Sequence, residues 1–219
     1  AVRAIKVDYE IRPPLVDELK SLQAGAPLVY EGGNRVAPPV RYNRGDVARG
    51  FAEADVVLEQ SYRTECDIHT PLERHGCVAE WRRDRLTVWE STQGVYAVQG
   101  TVAKTLGLPL SRVRVIGHYM GGGFGSKLQA GKYTVIAALL AKKTGRPVKL
   151  FLTREDTYLT VGNRPPANMR LKAGVKKDGT LTALEFSCTG TGGAYPAGGT
   201  ALVDWLIRDL YTCPNVRTE

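Results

Sequence analysis

A mixed α/β fold is what this 219-residue sequence predicts, and three observations carry the prediction. Short runs that alternate apolar and polar residues, as half-buried strands do, are interspersed with segments whose apolar residues recur at helical spacing. One stretch, "RVRVIGHYMGGGFGSKLQAGKYTVIAALLAKKTGRPVKLFLT", reads as a strand, a glycine loop, a helix and a second strand in succession. Hydrophobic residues make up 43% and charged ones 24%, so the chain has the material for a buried core.

Each element has its own signal. "AIKVDYEI" (4–11) alternates as a half-buried strand does and is stopped by Pro13 and Pro14. Residues 25–44, rich in Gly and Pro, read as an irregular connection of linker length. Val47, Phe51 and Ala54 then mark a helix whose start Asp46 favours. "VVLEQSYRTE" follows as a strand, and "CVAEW" with "LTVWEST" as a hairpin around the arginines at 82, 83 and 85. Val95, Val98, Val102 and Leu106 share one helical face, with Gly107 as the C-terminal cap. Behind the glycine loop, the run from Tyr133 to Ala141 is apolar apart from Thr134, which predicts a largely buried helix ended by Gly145 and Pro147. "VKLFLT" is a strand, "MRLKAGVKKDGTLTALEFS" a hairpin turned at Asp178–Gly179, "TGTGGAYPAGG" a second glycine loop, and "ALVDWLIRDLY" a final helix.

Composition excludes several functions. No apolar run approaches the roughly 20 residues that cross a bilayer, and the N-terminus lacks a signal peptide's regions, so a cytoplasmic protein without a membrane partner is expected. Cys66, Cys77, Cys188 and Cys213 lie far apart, and with only His69, His75 and His118 besides, no metal-ligand spacing can be drawn. The net charge of +8 brings no RNA-binding or zinc-finger pattern with it. Arg82, Arg83 and Arg85 read as a solvated turn or a face that docks onto a partner, and no nucleic-acid partner is expected.

The glycine loop is the candidate site. Glycines let a ligand approach the backbone, and peptide N–H groups at a helix start attract anions. Lys127 is preceded by Ser126 and followed by Leu128, which breaks the P-loop pattern, and Ser126 stands where a dinucleotide fingerprint needs glycine. Phe124 inside the glycine run suits a rigid loop with an apolar wall more than a flexible turn. Gln93, between a strand end and a helix start, can donate from its neutral amide without titrating, or serve as an ordinary first-turn residue. A tight structural turn and a phosphate- or nucleotide-binding module stay open at this point.

The segments "TQGVYAVQGTVAKTLGLPLSRVRVIGHYMGGGFGSK", "AALLAKKTGRPVKLFLTRED" and "NRPPANMRLKAGVKKDGTLTALE" resemble the molybdenum-binding large subunit of the xanthine dehydrogenase/aldehyde oxidase family of molybdenum hydroxylases. The resemblance runs from about residue 4 to the end. It implies the end of an α/β hammerhead-like domain at 1–24, a linker at 25–44 and the first part of a molybdopterin-binding domain at 45–219. It places the family's molybdenum-proximal glutamine on Gln93 and its backbone-donating pair on Phe124 and Gly125, with Gly122 and Gly123 shaping the loop. The metal would be held by a pterin dithiolene, as molybdopterin or its cytosine dinucleotide, with no direct protein ligand.

The resemblance also implies the reaction and its partners. The family hydroxylates small molecules with water-derived oxygen and passes electrons to iron–sulfur and FAD centres, here expected on partner subunits or domains. Where purine-oxidising members carry a glutamate after the lysine of the glycine motif, this chain has Leu128. A site without a polar partner discriminates against polar substrates, so an aldehyde or aromatic heterocycle is expected rather than xanthine. Glu73, Glu90, Glu155 and Asp156 match no catalytic carboxylate of the family and are assigned surface or structural roles. The family's later motifs are missing, so the chain reads as a fragment, inactive by itself, that works with the remainder of a large subunit.

Overall fold

The computed structural model describes residues 4–195 and 200–219. In chain order the elements are α1 (Glu18–Ser21), β1 (Tyr42–Arg44), α2 (Val47–Ala52), β2 (Val56–Thr64), β3 (Gly76–Arg82), β4 (Arg85–Glu90), α3 (Val95–Leu106) and β5 (Val113–Ile116). There follow α4 (Lys132–Thr144), β6 (Val148–Phe151), α5 (Arg154–Thr160), β7 (Ala167–Val175), β8 (Leu181–Gly190), α6 (Thr200–Leu210) and β9 (Val216–Thr218). They form two compact units: one runs up to Glu65 and resumes at Pro165–Glu219, and the other is Cys66–Arg164.

The discontinuous unit is built on a five-stranded sheet in the order β1-β9-β8-β7-β2. The β7–β8 hairpin turns as predicted, with Gly179 at φ 90° supplying the left-handed residue. Asp46 caps α2 by accepting the Arg49 N–H at 3.0 Å. Leu184, Cys213 and Val216 form the buried centre. β2 is an edge strand whose nine residues are all exposed.

The continuous unit carries a four-stranded sheet, β5-β4-β3-β6, with α3 and α4 packed against one face. Its core holds Leu86, Val88, Val98 and Val102, all fully buried, each worth about 1.5–3 kcal/mol of transfer free energy. Trp81 Nε1 donates to the Ala138 carbonyl at 2.9 Å and ties sheet to helix. Gly107 and Gly145, at φ 65°, end the two helices. β4 and β5 run parallel and β3 antiparallel to them. The exits of β4 and β5 and the entrance to β3 therefore fall at one end of the sheet.

Several expectations are corrected. Residues 4–11 form no strand: Ile5, Val7, Tyr9 and Ile11 are exposed, and alternation makes a strand only where a neighbour takes its hydrogen bonds. The irregular stretch 25–44 ends in a strand, because β1 finds β9 as partner. Helix α4 begins at Lys132, several residues after the glycine loop, and is buried on one side only. Tyr133, Ala137 and Ala141 face the core while Ile136, Leu139 and Leu140 are exposed. Helix α5 has no counterpart among the predicted elements; the capping box of Thr153 and Asp156 marks its start. Part of the second glycine loop, 196–199, lies outside the described residues, as do residues 1–3 of the N-terminal run.

Glu90, at the end of β4, is 5% exposed and sits between Thr134 and Tyr133, whose hydroxyls donate to its Oε1 at 2.9 and 3.2 Å. Burial pushes its carboxyl up to about 7 despite those two donors. The folded protein thus binds one more proton than the unfolded chain between the ordinary value of 4.5 and about 7, so this group removes stability as pH rises through that window. Relative to wild type, Glu90→Gln should gain stability across the window, by up to about 3 kcal/mol, and hold a constant advantage above it. Paired thermal melts from pH 4.5 to 8 measure the gap.

Candidate functional site

Three segments meet at the end of the four-stranded sheet where β4 and β5 exit: 66–75 before β3, 91–93 after β4, and the glycine loop after β5. Gln93 joins two of them. Its backbone N–H donates to the Lys127 carbonyl at 2.9 Å. Its side-chain Oε1 accepts the N–H groups of Gly125 at 2.9 Å and Lys127 at 3.2 Å. With the oxygen committed to the loop, the Nε2 amino group of this exposed residue has no acceptor among the described residues and is left as a non-titrating donor.

The glycines make this approach possible. A Cβ on Gly123 would stand 2.5 Å from Gln93 Oε1, and one on Gly121 would stand 2.5 Å from Glu73 Cβ. Gly122 and Gly125 adopt φ of 93° and 96°, a region L side chains rarely enter. Phe124 enters it too, at φ 51° and 70% exposed, and so does Thr70 at φ 41°. Non-glycine residues in that region persist only where their surroundings over-determine them. The Gly122, Gly123 and Phe124 amides donate to no acceptor among the described residues.

The loop is anchored from below by a buried cation. Lys127, 1% exposed, gives Nζ three acceptors: the Glu73 carbonyl at 2.9 Å, Glu73 Oε2 at 3.1 Å and Ser91 Oγ at 2.8 Å. Glu73 Oε2 also accepts the Gly121 N–H at 2.7 Å and the Ser91 hydroxyl. Burial pushes the Glu73 carboxyl up, but the donors Ser91, Gly121 and Lys127 outweigh it and hold it below its ordinary range. Alongside, Ser126 Oγ donates to the Gly123 carbonyl at 2.7 Å and takes a hydrogen bond from His75 Nε2 at 3.0 Å. Burial, helped by the Lys127 charge, lowers His75 to about 4, so its ring is neutral around pH 7.

The structure brings Gln93, Gly122, Gly123, Phe124 and Gly125 together, and places Leu128, half exposed, directly after Lys127. Two expectations change. The loop does not open helix α4, so its amides are not a helix N-terminus. The Gly125 N–H, expected to face a ligand, is spent on Gln93 Oε1. Sequence reasoning missed Lys127, Ser91 and His75 and left Glu73 with a surface or structural role, because a charged or polar residue in a loop carries no periodic signal of burial. Among the described residues no group of three His, Cys, Asp or Glu side chains could hold a metal ion, and no helix is long and apolar enough to cross a membrane.

The chain as a whole has counterparts among known proteins. Residues 29–219 match the molybdopterin cofactor-binding domain family, and the chain belongs to it. It is 32% identical over 223 residues to a subunit of a probable xanthine dehydrogenase from Bacillus subtilis, and 33% identical over 223 residues to the nicotinate dehydrogenase large molybdopterin subunit of Eubacterium barkeri. Both alignments cover 100% of this chain but only 30% and 52% of those proteins. The solved aldehyde oxidoreductase of Desulfovibrio gigas superimposes with a TM-score of 0.86 at 28% identity, over 99% of this chain and 24% of that one. The mixed α/β fold is thus that of a molybdopterin-binding domain from the xanthine dehydrogenase/aldehyde oxidoreductase family of oxidoreductases. A phosphate- or nucleotide-binding module finds no support.

Gly123→Ala should expel the Gln93 side chain and leave the Gly125 and Lys127 amides unpaired, each at about 1–3 kcal/mol if it stays out of water. A crystal structure of the variant with Gln93 unmoved would contradict this account of the glycine.

Proposed function

We propose that this chain forms one wall of a molybdenum–pterin site in an enzyme that hydroxylates an aldehyde or an aromatic heterocycle. The observation that carries the reading is Gln93, its oxygen held by two loop amides so that its NH2 group alone is left without a partner among the described residues, above a glycine whose Cβ would occupy the same space. Such a floor fits a ligand rich in oxygen acceptors, as an oxo-bearing molybdopterin is. When bound, the cofactor supplies oxidative hydroxylation with water-derived oxygen.

The chain's own residues bind and orient. Gln93 Nε2 and the amides of Gly122, Gly123 and Phe124 donate to acceptors on the cofactor. Gly125 supports Gln93 and, lacking a Cβ, leaves the approach open. The exposed Phe124 ring gives an apolar wall, and Leu128 takes the position that selects substrate. Neither offers a hydrogen bond to a purine, which favours a less polar substrate. Of the relatives, one is named for nicotinate, an aromatic heterocycle, one for aldehydes and one for xanthine. Electron transfer to iron–sulfur and FAD centres, the remainder of a large subunit as partner, the cytosine dinucleotide form of the cofactor and a cytoplasmic setting belong to the same proposal.

Quantifying molybdenum and pterin in the intact complex that contains this chain tests the reading. About one of each per chain is expected, and a fully assembled complex with neither overturns it. In that complex Gln93→Ala should lower turnover by about 10²-fold, as loss of a preorganised donor does. Leu128→Glu should shift competition between a purine and an aldehyde toward the purine, measured as the ratio of kcat/KM values.

A further inference from the structure

We propose that Glu73 is a positioning residue for this site: with Lys127 it clasps the two ends of the glycine loop and thereby sets the Gln93 amide. This rests on the molybdopterin reading above and extends it to the groups beneath the loop. One carboxylate oxygen, Glu73 Oε2, gathers donors from both ends of the loop. The Gly121 N–H donates to it at 2.7 Å from the start, and the Lys127 ammonium at 3.1 Å from the finish. The Ser91 hydroxyl donates to the same oxygen from the end of β4. The Glu73 N–H returns a bond to the Gly121 carbonyl at 3.1 Å, so Glu73 and Gly121 are joined in both directions.

The clasp reaches Gln93 through Lys127. The Lys127 backbone accepts the Gln93 N–H at 2.9 Å and the Thr92 hydroxyl at 2.8 Å, and its N–H donates to Gln93 Oε1 at 3.2 Å. Any displacement of Lys127 therefore moves both the backbone and the side chain of Gln93. An ammonium has three donors, and here all three are taken within a side chain that is fully buried. If Glu73 loses its charge, the ammonium is left with neutral acceptors alone in a dry place, and it must leave or draw in water. The Glu73 side chain itself is 35% exposed, so the carboxylate is reached by solvent while its partner is not.

The test uses the assembled complex with Glu73→Gln, the pair Glu73→Gln/Lys127→Met, and Glu73→Asp, which keeps the charge on a shorter arm. Melting temperature and the half-time for loss of molybdenum and pterin on dialysis are read side by side. Glu73→Gln should lower the melting temperature and shorten retention about tenfold or more, the usual effect of removing an outer support. The pair should recover most of the melting temperature, since no unpaired charge remains, while retention stays short. Recovery of both together, or wild-type retention in Glu73→Gln, would show that the pair only stabilises the fold. If Glu73→Gln does not assemble, Glu73→Asp decides: folded with short retention supports the clasp, and folded with full retention overturns it. A wild-type complex without molybdenum and pterin sinks the underlying cofactor reading instead, whatever the variants do.

Discussion

A single buried ammonium organises the end of the four-stranded sheet. Removing the Lys127 charge from water is costly, on the order of several kcal/mol, and it is tolerable only because a carboxylate, a carbonyl and a hydroxyl from two other segments converge on it. Those acceptors belong to the turn before β3 and to the exit of β4. Satisfying one cation thus brings together three stretches of chain separated by tens of residues. The glycine loop, the Gln93 peptide and the Glu73 carboxylate all take their places from that requirement.

Close approach explains the glycines, and the glycines explain why the amide can be fixed without being buried. Gln93 lies across Gly123 where any Cβ would collide with it, and its oxygen is held by two peptide N–H groups. The outcome is a donor group that carries no charge and does not change with pH. Phe124 in the loop and Thr70 in the segment before β3 both adopt positive φ without being glycine, as does Arg83 in the β3–β4 turn. Beneath the glycine loop, neutral His75 and Ser126 brace the Gly123 carbonyl, so the loop is supported along its length rather than at its ends alone.

The elements that were legible in the sequence are those whose residues answer to a local period or a local stop. Val95, Val98, Val102 and Leu106 announced α3, Gly107 and Gly145 ended their helices, and Asp178–Gly179 turned its hairpin. Where a period needed a partner to mean anything, the sequence misled. Residues 4–11 alternate like a strand yet pair with nothing among the described residues, and the continuous apolar run of α4 concealed that Leu139 and Leu140 face outward. Burial is a property of what stands opposite a residue, which no local pattern records.

The site divides along the same line. The sequence by itself determined that a rigid glycine loop with an embedded phenylalanine exists, that a neutral amide stands at a strand-to-helix junction, and, through ordered motifs, which family they resemble. These are local facts of residue type and spacing. Only the tertiary structure decided that the loop does not begin a helix, that the Gly125 amide is spent on Gln93, and that Lys127, Glu73 and Ser91 form the support beneath. The reason is physical: a lysine in a glycine-rich loop reads as solvated until the fold supplies its acceptors, and those acceptors come from segments 36 and 54 residues away.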